Sequence, residues 1–260
     1  MRTVVVTGGF GVLGRAVAAA FRENGDRVAR IDFAPQAADA NPGGLDLGGV
    51  DLTDAAQAAA AVARITDAMG GIAVLVNVAG GFVWEPLDEG APGTWARMFA
   101  MNATTCVTMT AAALPTLKNT PGAAIVNIGA GSALVAGAGM GAYAASKQAV
   151  HKLTESLAAE LAGSDCTVNA VLPSIIDTPT NRADMPDADW SLWVQPDALA
   201  YRRLADRPLI VATSRPVESA LSDYYEHRDR ILAEWRKYFD GADAPFAWAP
   251  EIVAVLSSGA

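Results

Sequence analysis

The sequence predicts an α/β fold built on a doubly wound parallel sheet, and three observations predict it. Short β-rich runs alternate with longer Ala-rich helical patterns through residue 199. The runs are continuously apolar, as strands buried on both faces are, where half-exposed strands alternate. The residues able to do chemistry fall at the carboxyl ends of the runs, where such a sheet opens its ligand crevice.

The elements follow in order. "TVVVTG" opens the chain as a strand and leads through a glycine-rich turn into a helix over 12–24. "RVARID" is the second strand, "GLDLGGVDLTD" holds the end of a further one, and an Ala-rich helix spans 54–69. "IAVLVNVAG" is the fourth strand, followed by a helix over 93–117. "AAIVNIG", a helix over 141–162 and "CTVNAVLP" complete the repeat. After residue 199 the pattern changes. "RPLIVATS" reads as a strand or an extended link, and Ser214 with Pro216 as the cap and first turn of a helix through "PVESALSDYYEHRDRILAEWRKYF". The closing "PEIVAVLSSGA" fits a strand or a short helix. The expected organisation is a domain over 1–199, with an atypical segment over 200–260 packed on it.

Composition narrows the function. The 260 residues are 52% hydrophobic and 18% charged, which suits a substantial core and excludes a disordered chain. The sequence enters a strand at once, with no charged leader and no apolar run long enough to cross a bilayer. A net charge of -9 argues against a nucleic-acid surface. Cys106 and Cys166 are isolated in apolar or small-residue surroundings and read as buried free thiols, which fits a reducing, cytoplasmic setting. His151 and His227 have no partners at metal-ligand spacing, so no metal site is expected.

The first turn, "GGFGVLG", places Gly8, Gly9, Phe10, Gly11, Val12, Leu13 and Gly14 between a strand and a helix. Glycines there permit a tight turn and close backbone approach to a pyrophosphate, and the helix start supplies free N–H groups. Asp32 ends the second strand eighteen residues after Gly14, where an acid binds both hydroxyls of an adenine ribose and repels a 2′-phosphate. No Arg or Lys follows in "DFAPQ", so NAD(H) is favoured over NADP(H), which is not excluded. Asp51 and Leu52 are expected at an adenine ring, and Asn77, Ala79 and Gly80 beside a ribose. A plain glycine turn with a solvated Asp is the alternative.

At the other end, Tyr143 and Lys147 lie one helical turn apart on one face. A nearby ammonium favours the phenolate, as a general acid/base requires. The glycine turn, "NVAG", Asn102 in "MNATT", "YAASK" and "PSIIDTP", in this order and spacing, resemble the short-chain dehydrogenase/reductase family over roughly residues 1–195. The resemblance implies a Rossmann fold that carries NAD(P)(H) and transfers hydride to or from a small organic substrate. It implies that Tyr143 moves the proton, that Lys147 also holds the nicotinamide ribose, and that Asn102 supports a water-linked relay. It further implies that Pro173, Ile176 and Thr178 pin the nicotinamide carboxamide, and that the chain forms a homodimer or homotetramer.

One position departs from the pattern. The family's serine belongs thirteen residues before the tyrosine, which here is Ala130, with Ser132 two residues on as a substitute if the loop is re-routed. Losing a donor aimed at a developing oxyanion costs on the order of 10²–10³ in rate. The dihydropteridine reductase branch is similar in its alanine, its Gly-Gly-x-Gly-x-x-Gly turn and the stretch "DTPTNRADMPDADWSLW", which implies a quinonoid pterin as an alternative substrate. Two other readings are a nucleotide-binding homologue without turnover and an enzyme using Tyr143 for non-redox chemistry. Phe82, Trp84, Trp190 and Trp193 read either as core or as a pocket lining for a flat substrate.

Overall fold

Six strands, all paired in parallel, form one sheet in the order β3-β2-β1-β4-β5-β6. The computed structural model describes residues 1–200. The expectations for "RPLIVATS", the helix from Ser214, "PEIVAVLSSGA" and His227 lie outside the described residues. The strands are β1 Thr3–Thr7, β2 Arg27–Ile31, β3 Leu45–Leu47, β4 Val74–Asn77, β5 Ala124–Ile128 and β6 Thr167–Val171. Every residue of β1 is buried, which is why its sequence is apolar without alternation. Strand order reverses between β1 and β4, so the crevice opens at the carboxyl ends of these two strands.

The helices are α1 Val12–Glu23, α2 Ala55–Met69, α3 Pro92–Met98, α4 Thr105–Lys118, α5 Gly141–Glu160, α6 Pro179–Asp184 and α7 Pro196–Ala200. One buried cluster joins β-strand side chains such as Val5 and Ile125 to α2 and α4 through Ile65, Met109 and Leu117. A second joins Val4, Val6 and Val28 to α1 through Leu13 and Val17. The sheet is therefore covered on both faces, as the doubly wound reading requires.

The two early helices start differently. The Asp54 carboxylate accepts from Ala56 N and Gln57 N at the start of α2, and Gly70 in the left-handed region (φ 74°) ends it. No side chain caps α1, and its first turn holds no acid. Its free N–H groups remain available to an anion.

The helix expected over 93–117 runs from Pro92 to Lys118, though it is not α-helical throughout. A wider, π-helical turn, Phe99–Thr104, separates α3 from α4. Within it Asn102 turns inward and spends its carboxamide on residues outside the helix. Such turns are a recurrent feature of functional sites.

Candidate active site

The end of β1 and the end of β4 are tied by one hydroxyl. Thr7 Oγ1 accepts from Val78 N at 3.0 Å and Ala79 N at 3.1 Å. The backbone then turns at Gly8 (φ 61°), where an added Cβ would lie 2.9 Å from Ala79 N. At Gly14 a Cβ would lie 2.1 Å from Gly8 O, so the helix rests directly on the turn. This is a backbone cradle with no side chain in the way, and it fits a pyrophosphate. Asp32 stands beside it. Its Oδ2 accepts from Phe10 N at 2.9 Å and its Oδ1 from Ala34 N at 2.9 Å, leaving further lone pairs for hydroxyl donors.

Around Gly80 the second half of the site assembles. An added Cβ there would lie 2.5 Å from Asn102 Oδ1 and 3.3 Å from Lys147 Nζ, so three elements meet at one glycine. Asn102, 1% exposed, accepts from Gly81 N at 2.9 Å and donates to Gly81 O at 3.0 Å and Ser146 Oγ at 2.9 Å. The Ser146 hydroxyl donates on to Tyr143 O at 2.7 Å. Lys147 Nζ donates to Ile128 O at 2.8 Å. The ring of Phe82 meets Tyr143 edge-on, 4.9 Å between centroids.

Burial sets the charges. It draws the Lys147 ammonium down to about 8 and pushes the Tyr143 phenol up to about 12. The expectation that Lys147 lowers the tyrosine is therefore not met in the protein as it stands. Desolvation of the phenolate is the dominant effect, and the tyrosine rests as a neutral acid.

Beneath Tyr143, His151 is fully buried and its Nε2 accepts from Ala130 N at 3.2 Å, while Nδ1 pairs with Gln148 Oε1 at 3.0 Å. Burial first, and Lys147 second, hold its imidazole down at about 4, so it is neutral. Ala130 is itself buried, and Gly131 N donates to Pro173 O at 3.0 Å. Ser132 sits in the short 3₁₀ turn Gly131–Ala133, half-buried and packed against α5.

Other expected residues have partners of their own in the protein. Asn77 is 4% exposed and donates to Thr110 Oγ1 and Asn127 Oδ1, so its side chain belongs to a buried network and not to a ribose pocket. Leu52 and Leu13 bury their side chains in the two core clusters, which leaves only their backbones for a nucleotide. Asp51 Oδ1 accepts from Thr53 N and Oγ1, holding the turn before α2. Val12 borders a shallow outer hollow with Arg15. Thr178 caps α6 through Asn181 N at 3.1 Å, and Ile176 pairs with Val194 in an isolated bridge. Trp84 donates to Ala138 O, Trp193 is buried, and Trp190 lies under Arg182, so Phe82 alone of these aromatics touches Tyr143. Cys106 and Cys166 are buried and free.

Sequence reasoning missed Ser146, Gln148 and His151. The last had a readable signal, since it stands one turn after Lys147 on the same helical face.

The model of the family described as short chain dehydrogenase matches residues 2–189. The chain belongs to the short-chain dehydrogenase family. It is 32% identical to 2-(S)-hydroxypropyl-CoM dehydrogenase 3 of Xanthobacter autotrophicus, over 79% of this chain and 82% of that one. It is also 32% identical to 2,3-dihydro-2,3-dihydroxybenzoate dehydrogenase of Escherichia coli, over 77% of each. Among solved structures, the ligand-free aldohexose dehydrogenase of Thermoplasma acidophilum superposes with a TM-score of 0.70 at 28% identity, covering 76% of this chain and 84% of that one. As a short-chain dehydrogenase, the protein is an NAD(P)-dependent oxidoreductase on a Rossmann fold.

Proposed function

We propose that the protein is an NAD(H)-dependent dehydrogenase of a small hydroxylated or carbonyl substrate, with Tyr143 as the general acid/base. One observation carries the reading: Asn102 and Lys147 converge on Gly80, one turn along α5 from Tyr143. When bound, a nicotinamide dinucleotide supplies or accepts the hydride. The glycine cradle and the start of α1 would hold the pyrophosphate, Asp32 would accept from the adenine ribose hydroxyls, and Lys147 would donate to the nicotinamide ribose. Pro173, Ile176 and Thr178 would hold the nicotinamide carboxamide. Tyr143, neutral at rest, gives its proton to the substrate oxygen in reduction and takes it back in oxidation. Asn102 holds the Gly81 backbone and Ser146 in place around this group. The relatives are named for dehydrogenation of hydroxyl-bearing compounds, which supports the substrate class.

Ala130 favours a second reading. With no hydroxyl at that position the site makes less provision for a carbonyl oxygen, and a quinonoid dihydropterin, reduced within a ring-nitrogen system, needs less. Both readings take a homodimer or homotetramer, supported by Trp95, Phe99, Met101 and Val107 exposed along α3, the wide turn and α4.

The test follows NADH absorbance across secondary alcohols, ketones and quinonoid dihydropterin. Tyr143→Phe is expected to lower turnover by at least about 10²-fold while NADH affinity stays within about threefold. Unchanged turnover in that variant removes Tyr143 from the chemistry. Turnover of the pterin alone selects the second reading.

A further inference from the structure

A buried arginine lies directly under the nucleotide turn. Arg30, two residues before Asp32 on the same face of β2, is fully buried, and a Cβ on Gly9 would lie 2.5 Å from its Cβ. Its guanidinium sits 5.5 Å from the ring centroid of Phe10, whose N–H is held by Asp32. Such a cation beside an adenine ribose is the group that would welcome a 2′-phosphate.

Here it is already engaged. Arg30 is the register partner of Asp46 on β3, and its Nε and Nη2 donate to the two Asp46 oxygens at 2.8 and 2.7 Å. Its Nη1 donates to both Asp39 oxygens at 2.8 and 2.9 Å, and Nη2 donates to Asp39 O at 3.1 Å. These contacts take the Nε hydrogen and both Nη2 hydrogens, while the two Asp39 oxygens share one N–H of Nη1. Asn41 closes the ring, donating to Asp46 and to Val28 O while accepting from Arg22 of α1. Asp39 also borders the outer hollow where Arg15 and Arg22 of α1 lie with Asp197.

We propose that Asp39 and Asp46 are specificity-determining residues for the dinucleotide: by clamping the guanidinium of Arg30 between two carboxylates and outnumbering its charge, they add to Asp32 in refusing a 2′-phosphate. The inference rests on the NAD(H) reading above. It differs from the choice made by Asp32 itself, because it acts through a fully buried cation. Asp39 caps the arginine from the segment after β2, and Asp46 reaches it across the sheet.

The experiment titrates NADH and NADPH separately into the full-length protein and reads nucleotide fluorescence, with no turnover required. Wild type is expected to bind NADH more tightly. Asp39→Asn and Asp46→Asn each remove one negative charge with little change in shape. Each is expected to narrow the NADH-over-NADPH preference about tenfold, and the double variant further, with NADH affinity itself within about threefold. Asp39 is partly exposed, so its variant is the first to read, and Asp46→Asn carries the test if that protein does not fold. An unchanged preference in the variants, beside a wild type that binds NADH, overturns this inference and leaves the NAD(H) reading standing. A wild type that binds neither nucleotide, or that prefers NADPH, overturns both.

Discussion

Lys147→Met gives the most direct check on the charge state of the site. Lys147 is 5% exposed and its ammonium is drawn from 10.5 down to about 8 by burial. At about 1.4 kcal/mol per pH unit, keeping it charged in the native protein costs about 3 kcal/mol. The native protein releases this proton near pH 8 and the unfolded chain near 10.5. Between those values the unfolded chain binds more protons, so this group makes stability rise with pH; below pH 8 its cost is present in full. Methionine fills a similar volume and has no such charge. Wild-type stability is therefore expected to gain about 2 kcal/mol on the Lys147→Met protein between pH 7 and 9.5.

The measurement is urea unfolding of both proteins across that range, read as the difference between them. The lost hydrogen bond to Ile128 O offsets the two curves by a constant and does not change their slope. Tyr143, held at about 12, stays neutral throughout, and Cys106, pushed up to about 12 by burial against the lowering effect of Lys147, stays a thiol in both native proteins over this range. A difference flat to within about 0.5 kcal/mol would refute the claim that Lys147 is a desolvated cation. The same variant should bind NADH weakly, separating what the lysine does for the site from what it costs the fold.

Two further substitutions probe the geometry. Gly80→Ala puts a Cβ 2.5 Å from Asn102 Oδ1, so Asn102 must leave Gly81; steady-state turnover should fall about 10²-fold and unfolding free energy by about 1–3 kcal/mol, and near-normal turnover would show that Asn102 need not stay where it is. Ala130→Ser restores a hydroxyl at the buried end of β5; if the proposed carbonyl chemistry is right, kcat on the preferred ketone should rise about 10-fold or more, whereas no gain would place the oxygen donor elsewhere, at Ser132 first.

The legible part of the sequence was the part written in backbone logic. Continuous apolar runs announced buried parallel strands, and "GGFGVLG" announced a turn that admits no Cβ at Gly14. Tyr143 and Lys147 were legible because helical spacing puts them on one face. The wide turn at Phe99–Thr104 was not, since no local propensity encodes it or the tertiary bonds that Asn102 makes to Gly81. The core burial of the Leu13 and Leu52 side chains was not legible for a related reason: a motif counts positions along the chain, while the pleat and the helix decide which side chain turns into the core. The direction of the Tyr143 shift needed the depth of burial as well as the neighbour's charge.

Asn77 shows what a buried polar residue of these strands does. It pairs in register with Asn127 across β4 and β5, and the two carboxamides hydrogen-bond at 2.9 Å. Asn77 reaches Thr110 on α4, and Asn127 reaches Thr154 on α5 at 2.9 Å and accepts from the Cys106 thiol of α4. The helices that bear Asn102's turn and the Tyr143–Lys147 pair are thereby pinned to the same two strands by directional bonds. Apolar packing alone tolerates small slides of a helix over a sheet, but a buried bond broken by a slide leaves its partners unsatisfied at about 1–3 kcal/mol each. A site in which a displacement of 1 Å separates Asn102 from Ser146 needs that resistance. The polar residues of β4 and β5 thus serve the chemistry at a distance, by making the position of two helices a matter of hydrogen-bond geometry.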